Sequence, residues 1–256
     1  MSTLIACAKK EWMAQRRTGK FFIVAGIFFL FGIMNVAVAK LTPMLLEAMS
    51  ETLESSGMVI TITDASVLDS WVQFFKNLPM AIIAFVLLES GIFTGEYRSG
   101  TLILSLTKGL ARSKVLITKV ITLIFLWTVG YFLCFAVTYF GSLLLWENTS
   151  VPELGLAVFY WWLFGIWIIG LICLFSTVFR ANIGVLMGIG GVTFLCIMLS
   201  LIPKSEQFLP TGLTGATYLM YETADHSNLL TSAWITLGLI VVQFIVSIRL
   251  FNKKEI

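Results

Sequence analysis

Residues Leu156–Phe179 read LAVFYWWLFGIWIIGLICLFSTVF, a run without one charged side chain. A helix rises 1.5 Å per residue, so this run is about 36 Å long, enough to cross the roughly 30 Å hydrocarbon core of a bilayer. Its apolar residues are continuous and do not alternate, which argues against a barrel strand. Five further stretches share the character: approximately Phe21–Ala39, Leu78–Gly95, Val115–Trp146, Ile183–Ile202 and Leu230–Phe251. The third span in chain order, Val115–Trp146, exceeds one crossing and is expected to tilt or to project into water. The whole chain agrees with its parts: 256 residues, 58% hydrophobic, 12% charged, mean hydropathy +0.94. Soluble domains carry about 25% charged residues. The composition excludes an ordinary soluble enzyme, a disordered chain and a nucleic-acid-binding domain. The chain reads as an all-α integral membrane protein, a single transmembrane domain over 1–256 with six spans.

Charge placement orients those spans. Lys9, Lys10, Arg16, Arg17, Lys20, Arg98, Lys108, Arg112, Lys114, Lys119, Arg180, Arg249, Lys253 and Lys254 fall on one side, and only Lys40, Lys76 and Lys204 on the other. Basic residues mark the cytoplasmic side, so both termini are expected there. Acids such as Glu47, Asp69, Glu147, Glu153 and Glu206 gather on the opposite, outer side. Ala37-Val38-Ala39 imitates a signal-peptidase site, but the long basic segment before it favours a retained span. The cysteines Cys7, Cys134, Cys173 and Cys196 have no metal-ligand spacing and read as small packing residues.

Between the spans, residues 1–19 form an amphipathic pattern. Leu4, Ile5, Ala8 and Trp12 share a helical face, and Lys9, Lys10, Arg16 and Arg17 carry charge. Such a helix lies among the lipid headgroups, anchored by Trp12, Arg16 and Arg17. It serves either as a simple anchor or as an elbow that transmits force to the first span. The outer loop Leu41–Phe75 is acidic and rich in Ser and Thr, with helix expected around Met44–Leu53. It is read first as a solvated face and second as a substrate-contacting one. Residues 203–229 hold Pro203, Pro210, Gly212 and Gly215 among apolar side chains, too broken to span and too apolar for a free loop. Short re-entrant or interfacial helices fit, because backbone at membrane depth must be covered by protein. Gly184 and Gly188 are spaced for close helix contact, within the chain or between subunits. No internal repeat suggests an inverted-repeat transporter.

The inner loop, residues 96–112, reads EYRSGTLILSLTKGLAR. A short amphipathic stretch, Thr101–Leu106, is bracketed by Gly100 and Gly109, and Ser113 is placed to cap the next helix. Leu102 and Leu106 need an apolar partner, either the membrane surface or a groove in a soluble protein. Glu96, Ser99-Gly100-Thr101-Leu102, Leu106-Thr107, Arg112-Ser113 and Lys119 together resemble the E-x-x-x-GTL…R-x-x-x…K signature of ABC-2-type transporter permeases. That family often has Pro where this chain has Gly109-Leu110. The resemblance implies six spans, cytoplasmic termini and an amphipathic N-terminal helix, as the residues suggest independently. It also implies a cytoplasmic coupling helix between spans 2 and 3, seated in a separate ABC ATP-binding subunit. Glu96, Arg98, Gly100, Thr101, Leu102, Leu106 and Arg112 would serve that coupling. Two ATP-binding subunits, which hold ATP and Mg, and a second permease, identical or paralogous, would complete the transporter.

The chain itself lacks a G-x-x-x-x-G-K-[ST] loop, since Gly19-Lys20 is followed by Phe21. It is therefore expected to bind no cofactor and to be no enzyme. It also lacks H-E-x-x-H and G-x-S-x-G. His226 is a surface residue or a pH sensor. Glu89 is the one acid inside a span, expected to pair with Lys119 or Arg180 in a structural or gating role, or to serve a substrate or proton path. The aromatic cluster Phe159, Tyr160, Trp161, Trp162 and Trp167 opens as an interface belt. The combined expectation is the permease half of an ATP-driven exporter in a bacterial cytoplasmic membrane, moving an amphipathic or hydrophobic cargo. Export of an ion or small solute, or a non-transporting scaffold or immunity protein, stands as the alternative.

Overall fold

The computed structural model describes residues 2–49, 65–100, 111–147, 149–221 and 226–253. They form eight α-helices: α1 Ser2–Arg17, α2 Lys20–Ala48, α3 Val67–Glu89, α4 Gly91–Ser99, α5 Arg112–Leu145, α6 Leu154–Val178, α7 Asn182–Ser200 and α8 His226–Lys253. Two 3-10 segments, Glu206–Phe208 and Pro210–Tyr221, lie between α7 and α8. No strand occurs among the described residues. Six helices are long and apolar enough to cross a membrane, with α3 and α4 together counting as one span, Val67–Tyr97. This is an all-α integral membrane fold.

One end of the bundle gathers α1, the start of α2, α4, the start of α5 and the end of α8. Lys20 Nζ bonds the Leu88 carbonyl at 2.7 Å, and Arg112 reaches the carbonyls of Phe251 and Asn252 at 3.4 Å. We call this the basic end. The opposite end is tied by Trp146 Nε1 donating to the Ala65 carbonyl and by a hydroxyl pair, Ser70 Oγ to Ser142 Oγ at 2.8 Å.

The most enclosed helix is α6. In its most apolar stretch 72% of residues are buried, against 11% for α7. A helix apolar all round is stable only when other elements surround it, and α6 packs on α5, α7, α8 and the longer 3-10 segment. This burial changes the reading of its aromatic cluster. Tyr160, Trp161 and Trp167 are buried and only Phe159 is open. Trp161 Nε1 donates to Thr217 Oγ1 and Trp162 Nε1 to Thr128 Oγ1, each at 3.1 Å. An indole in a protein interior needs such an acceptor, so the belt role is left to Phe159 alone.

Two spans begin or end beyond their expected limits. Helix α2 continues past Ala39 to Ala48. Helix α3 starts at Val67 and not at Leu78, and Ser66 donates through N and Oγ to Asp69 Oδ2 at 2.8 and 2.9 Å. Its first turns contain Asp69, Ser70, Lys76 and Asn77, which lower hydropathy. They are tolerated because neighbours receive them: Asn77 Nδ2 donates to Asn35 Oδ1 at 2.8 Å, and Asn35 Nδ2 to Thr138 Oγ1 at 3.1 Å. The N-cap of α5 is Ala111, so Ser113 lies two positions too far along to cap it.

Within 203–229, the described residues 210–221 pack one side against protein. Pro210, Thr211, Gly212, Leu213, Ala216, Leu219 and Met220 are buried against α6 and α8. Twelve residues is long for a 3-10 helix. Gly212 allows it: a Cβ there would lie 2.3 Å from the Glu206 carbonyl oxygen and 2.5 Å from Ser232 Oγ.

Candidate functional site

Helix α1 docks on the bundle through its polar side. Glu11 and Gln15, spaced four apart, are both about 5% exposed, with Cys7 one turn before them. The apolar face read from sequence points away, with Ile5 and Ala8 exposed and Trp12 half-buried. Trp12 meets Phe21 and Phe125 edge-on at 5.1 and 5.3 Å. Arg16 and Arg17 are exposed in the last turn, where cations complement the helix dipole. One face of α1 is therefore packed on protein and the other is exposed.

The polar side of α1 completes an ionic cluster at the basic end. Lys119 of α5 is 1% exposed. Its ammonium meets Glu11 Oε2 at 3.1 Å, Glu96 Oε2 at 3.2 Å and the Ile92 carbonyl at 3.0 Å. The contacts to Glu11 and Ile92 are hydrogen bonds, and Glu96 adds an ion pair. Lys10 Nζ bonds Glu96 Oε1 at 2.9 Å. A buried cation needs this degree of pairing, because desolvation is otherwise unrepaid. Lys10 is affected on the water side: partial burial lowers its pKa, but Glu96 and then Glu11 outweigh this, holding it above 10.5.

Glu89 is fully buried at the end of α3. It accepts from Gln15 Nε2 at 2.8 Å and stands 3.8 Å from Lys20 Nζ. The expected pairing with Lys119 or Arg180 is thus corrected. Lys119 is taken by Glu11 and Glu96, and Arg180 is exposed near Tyr97. Three lysines, Lys10, Lys20 and Lys119, face three glutamates, Glu11, Glu89 and Glu96. Sequence reading missed Glu11 and Gln15. Their four-residue spacing was visible, but an acid beside Lys9 and Lys10 reads as part of a solvated face.

The remaining coupling candidates divide. Glu96 and Arg98 lie on α4, and Gly100 ends it in the left-handed region at φ +68°, a conformation that suits glycine. Arg112 binds the C-terminal carbonyls of α8. Thr101, Leu102 and Leu106 lie outside the described residues.

A second feature opens on the lipid-facing side. A groove of about 1030 Å³ runs between α3, α6, α7 and the longer 3-10 segment. Val86, Leu87, Ile168, Leu186 and Ile189 line its part nearer the basic end, and Lys76, Ser200, Glu206, Thr211 and Tyr221 its far mouth. In α7 only Val185 and Ile189 are buried. Gly184 and Gly188 face the rings of Phe179 and Phe175, so their small size serves contact within the chain. Gly190 lines the groove and Gly191 is exposed, with nothing within 4 Å of a Cβ at either.

Six apolar spans, an N-terminal helix docked beside them and a broken segment between the last two define a polytopic transport-type membrane domain. The profile described as ABC-2 family transporter protein matches residues 5–256, and the chain belongs to that family. It is a permease subunit of an ABC transporter and works with an ABC ATP-binding subunit. Comparison with individual curated proteins gives no match.

Proposed function

We propose that the chain is the permease of an ATP-driven exporter, coupled to two copies of a separate ATP-binding subunit that hold ATP and Mg. Two permease subunits, identical or paralogous, enclose the pathway in a bacterial cytoplasmic membrane, with both termini cytoplasmic. The cargo is amphipathic or hydrophobic. The observation that carries this is the long groove beside α7, the span with the least protein around it. The apolar wall from Pro79 to Leu87 on α3, about 12 Å long, suits an apolar chain and not a hydrated ion. Glu89, the residue on which an ion path would rest, does not line that groove.

Coupling runs through the 96–112 loop. ATP-driven closure of the partner moves this loop, and α4 passes the motion to α5 and α1 through Glu96, Lys119 and Lys10. Purification from native membranes in mild detergent tests the reading. A stoichiometric subunit bearing a Walker A loop should co-elute, and Leu102→Asp should release it. Recovery of the permease alone, or undiminished ATPase stimulation in both Leu102→Asp and Gly100→Trp, overturns the coupling assignment.

A further inference from the structure

The two ends of the groove differ in chemistry. Toward the basic end the walls are aliphatic and aromatic, including Val86, Leu87 and Phe194. At the far mouth, Lys76 and Glu206 bring opposite charges to the lining. Thr211, 7% exposed, also lines the groove, and its Oγ1 has no hydrogen-bond partner among the described residues. A buried hydroxyl left without a partner is costly, and native structures rarely keep one unless a ligand or water supplies it. From Lys76 to Leu87, α3 lines the groove for about 16 Å, some half of a hydrocarbon core.

We propose that the groove selects a single-tailed amphipath with a zwitterionic headgroup as cargo, its tail along α3 and α7 and its head at Lys76, Thr211 and Glu206. The inference rests on the export reading above and narrows it to a substrate class. Lys76 meets the anionic group of the head and Glu206 its cationic group. Thr211 offers the remaining hydrogen bond. A purely anionic head would face Glu206, and a neutral head would leave both charges unanswered.

The test uses the assembled transporter in nanodiscs and three spin-labelled probes sharing one palmitoyl tail: lysophosphatidylethanolamine, lysophosphatidylglycerol and monoacylglycerol. The zwitterionic probe should bind more tightly than the other two by roughly threefold to tenfold, the range for partly exposed charge-assisted contacts. Lys76→Ala and Glu206→Ala should each remove that preference, and Thr211→Val should weaken it. Gly190→Trp, which meets no internal neighbour at its Cβ, should block all three. Equal binding of the probes, tighter binding of the anionic one, or indifference to Gly190→Trp overturns the proposal. ATP with Mg should then release the zwitterionic probe. Retention through turnover marks a resident lipid and overturns the cargo role. If no ATP-binding subunit co-purifies, the export reading fails separately, whatever the probes do.

Discussion

Lys119 shows how much depends on a single side chain in this bundle. Its ammonium is inside the protein and has partners from α1 and α4. Lys119→Ala leaves Glu11 and Glu96 with only the more exposed Lys10 between them. Breaking a buried pair from one side costs about 3–5 kcal/mol. The expected result is a clear loss of thermal stability in detergent, whereas Arg180→Ala, at an exposed position, should change little. Lys10 makes a different prediction. Its pKa is held above 10.5 in the folded chain, so its contribution is fully present at lower pH and is lost only as pH rises through that raised value. Unfolding temperatures of wild type and Lys10→Met should therefore differ by a constant amount between pH 6 and pH 9. A difference that shrinks across that window would remove Lys10 from the cluster.

At the level of elements, α1 is the informative case. Its periodicity identified an amphipathic helix from residues alone. The face that packs on protein was not legible, because a polar stripe looks the same whether water or buried counter-charges await it. Only the arrival of Lys119 and Glu89 from distant parts of the chain distinguishes the two. The same reason hid the first three turns of α3, whose polar residues find partners on α2 and α5. The apolar spans were legible because lipid imposes one rule on every exposed surface. Thr18 and Gly19 leave only two residues between α1 and α2, and Gly19 sits at φ +72°. Glu11→Ala combined with Gln15→Ala should free α1 without unfolding the bundle. Hydrogen exchange should then rise across Ser2–Arg17 by an order of magnitude or more, with α6 unchanged. Equal exchange in both helices would show that the cluster holds the whole bundle and not α1 alone.

For the whole molecule, burial is uneven in a way that bears on assembly. The helix α6 is enclosed within one chain, whereas α7 and the groove beside it present most of their surface outward. The family placement and the six-span architecture followed from hydropathy, charge and the 96–119 pattern. The ionic cluster and the groove did not, since both depend on which helix faces meet. Removing the outward surface of α7 from lipid is the role we assign to the second permease. Paired cysteines at Met187 and Phe194 should cross-link between copies and not within one, which a non-reducing gel reads directly.

The docking of α1 also sets a timetable for synthesis. Glu11 and Lys119 are 108 positions apart. At about 5–20 residues per second, the ribosome needs roughly 5–20 s to supply the cation after the acid has emerged. During that interval Glu11 has no buried cation to meet, although Gln15 can already reach Glu89. The N-terminal helix is thus among the first segments made and among the last to settle. A nascent chain halted at Ala111 should leave the native Cys7, one turn before Glu11, open to a water-soluble thiol reagent, and one halted after Leu145 should protect it.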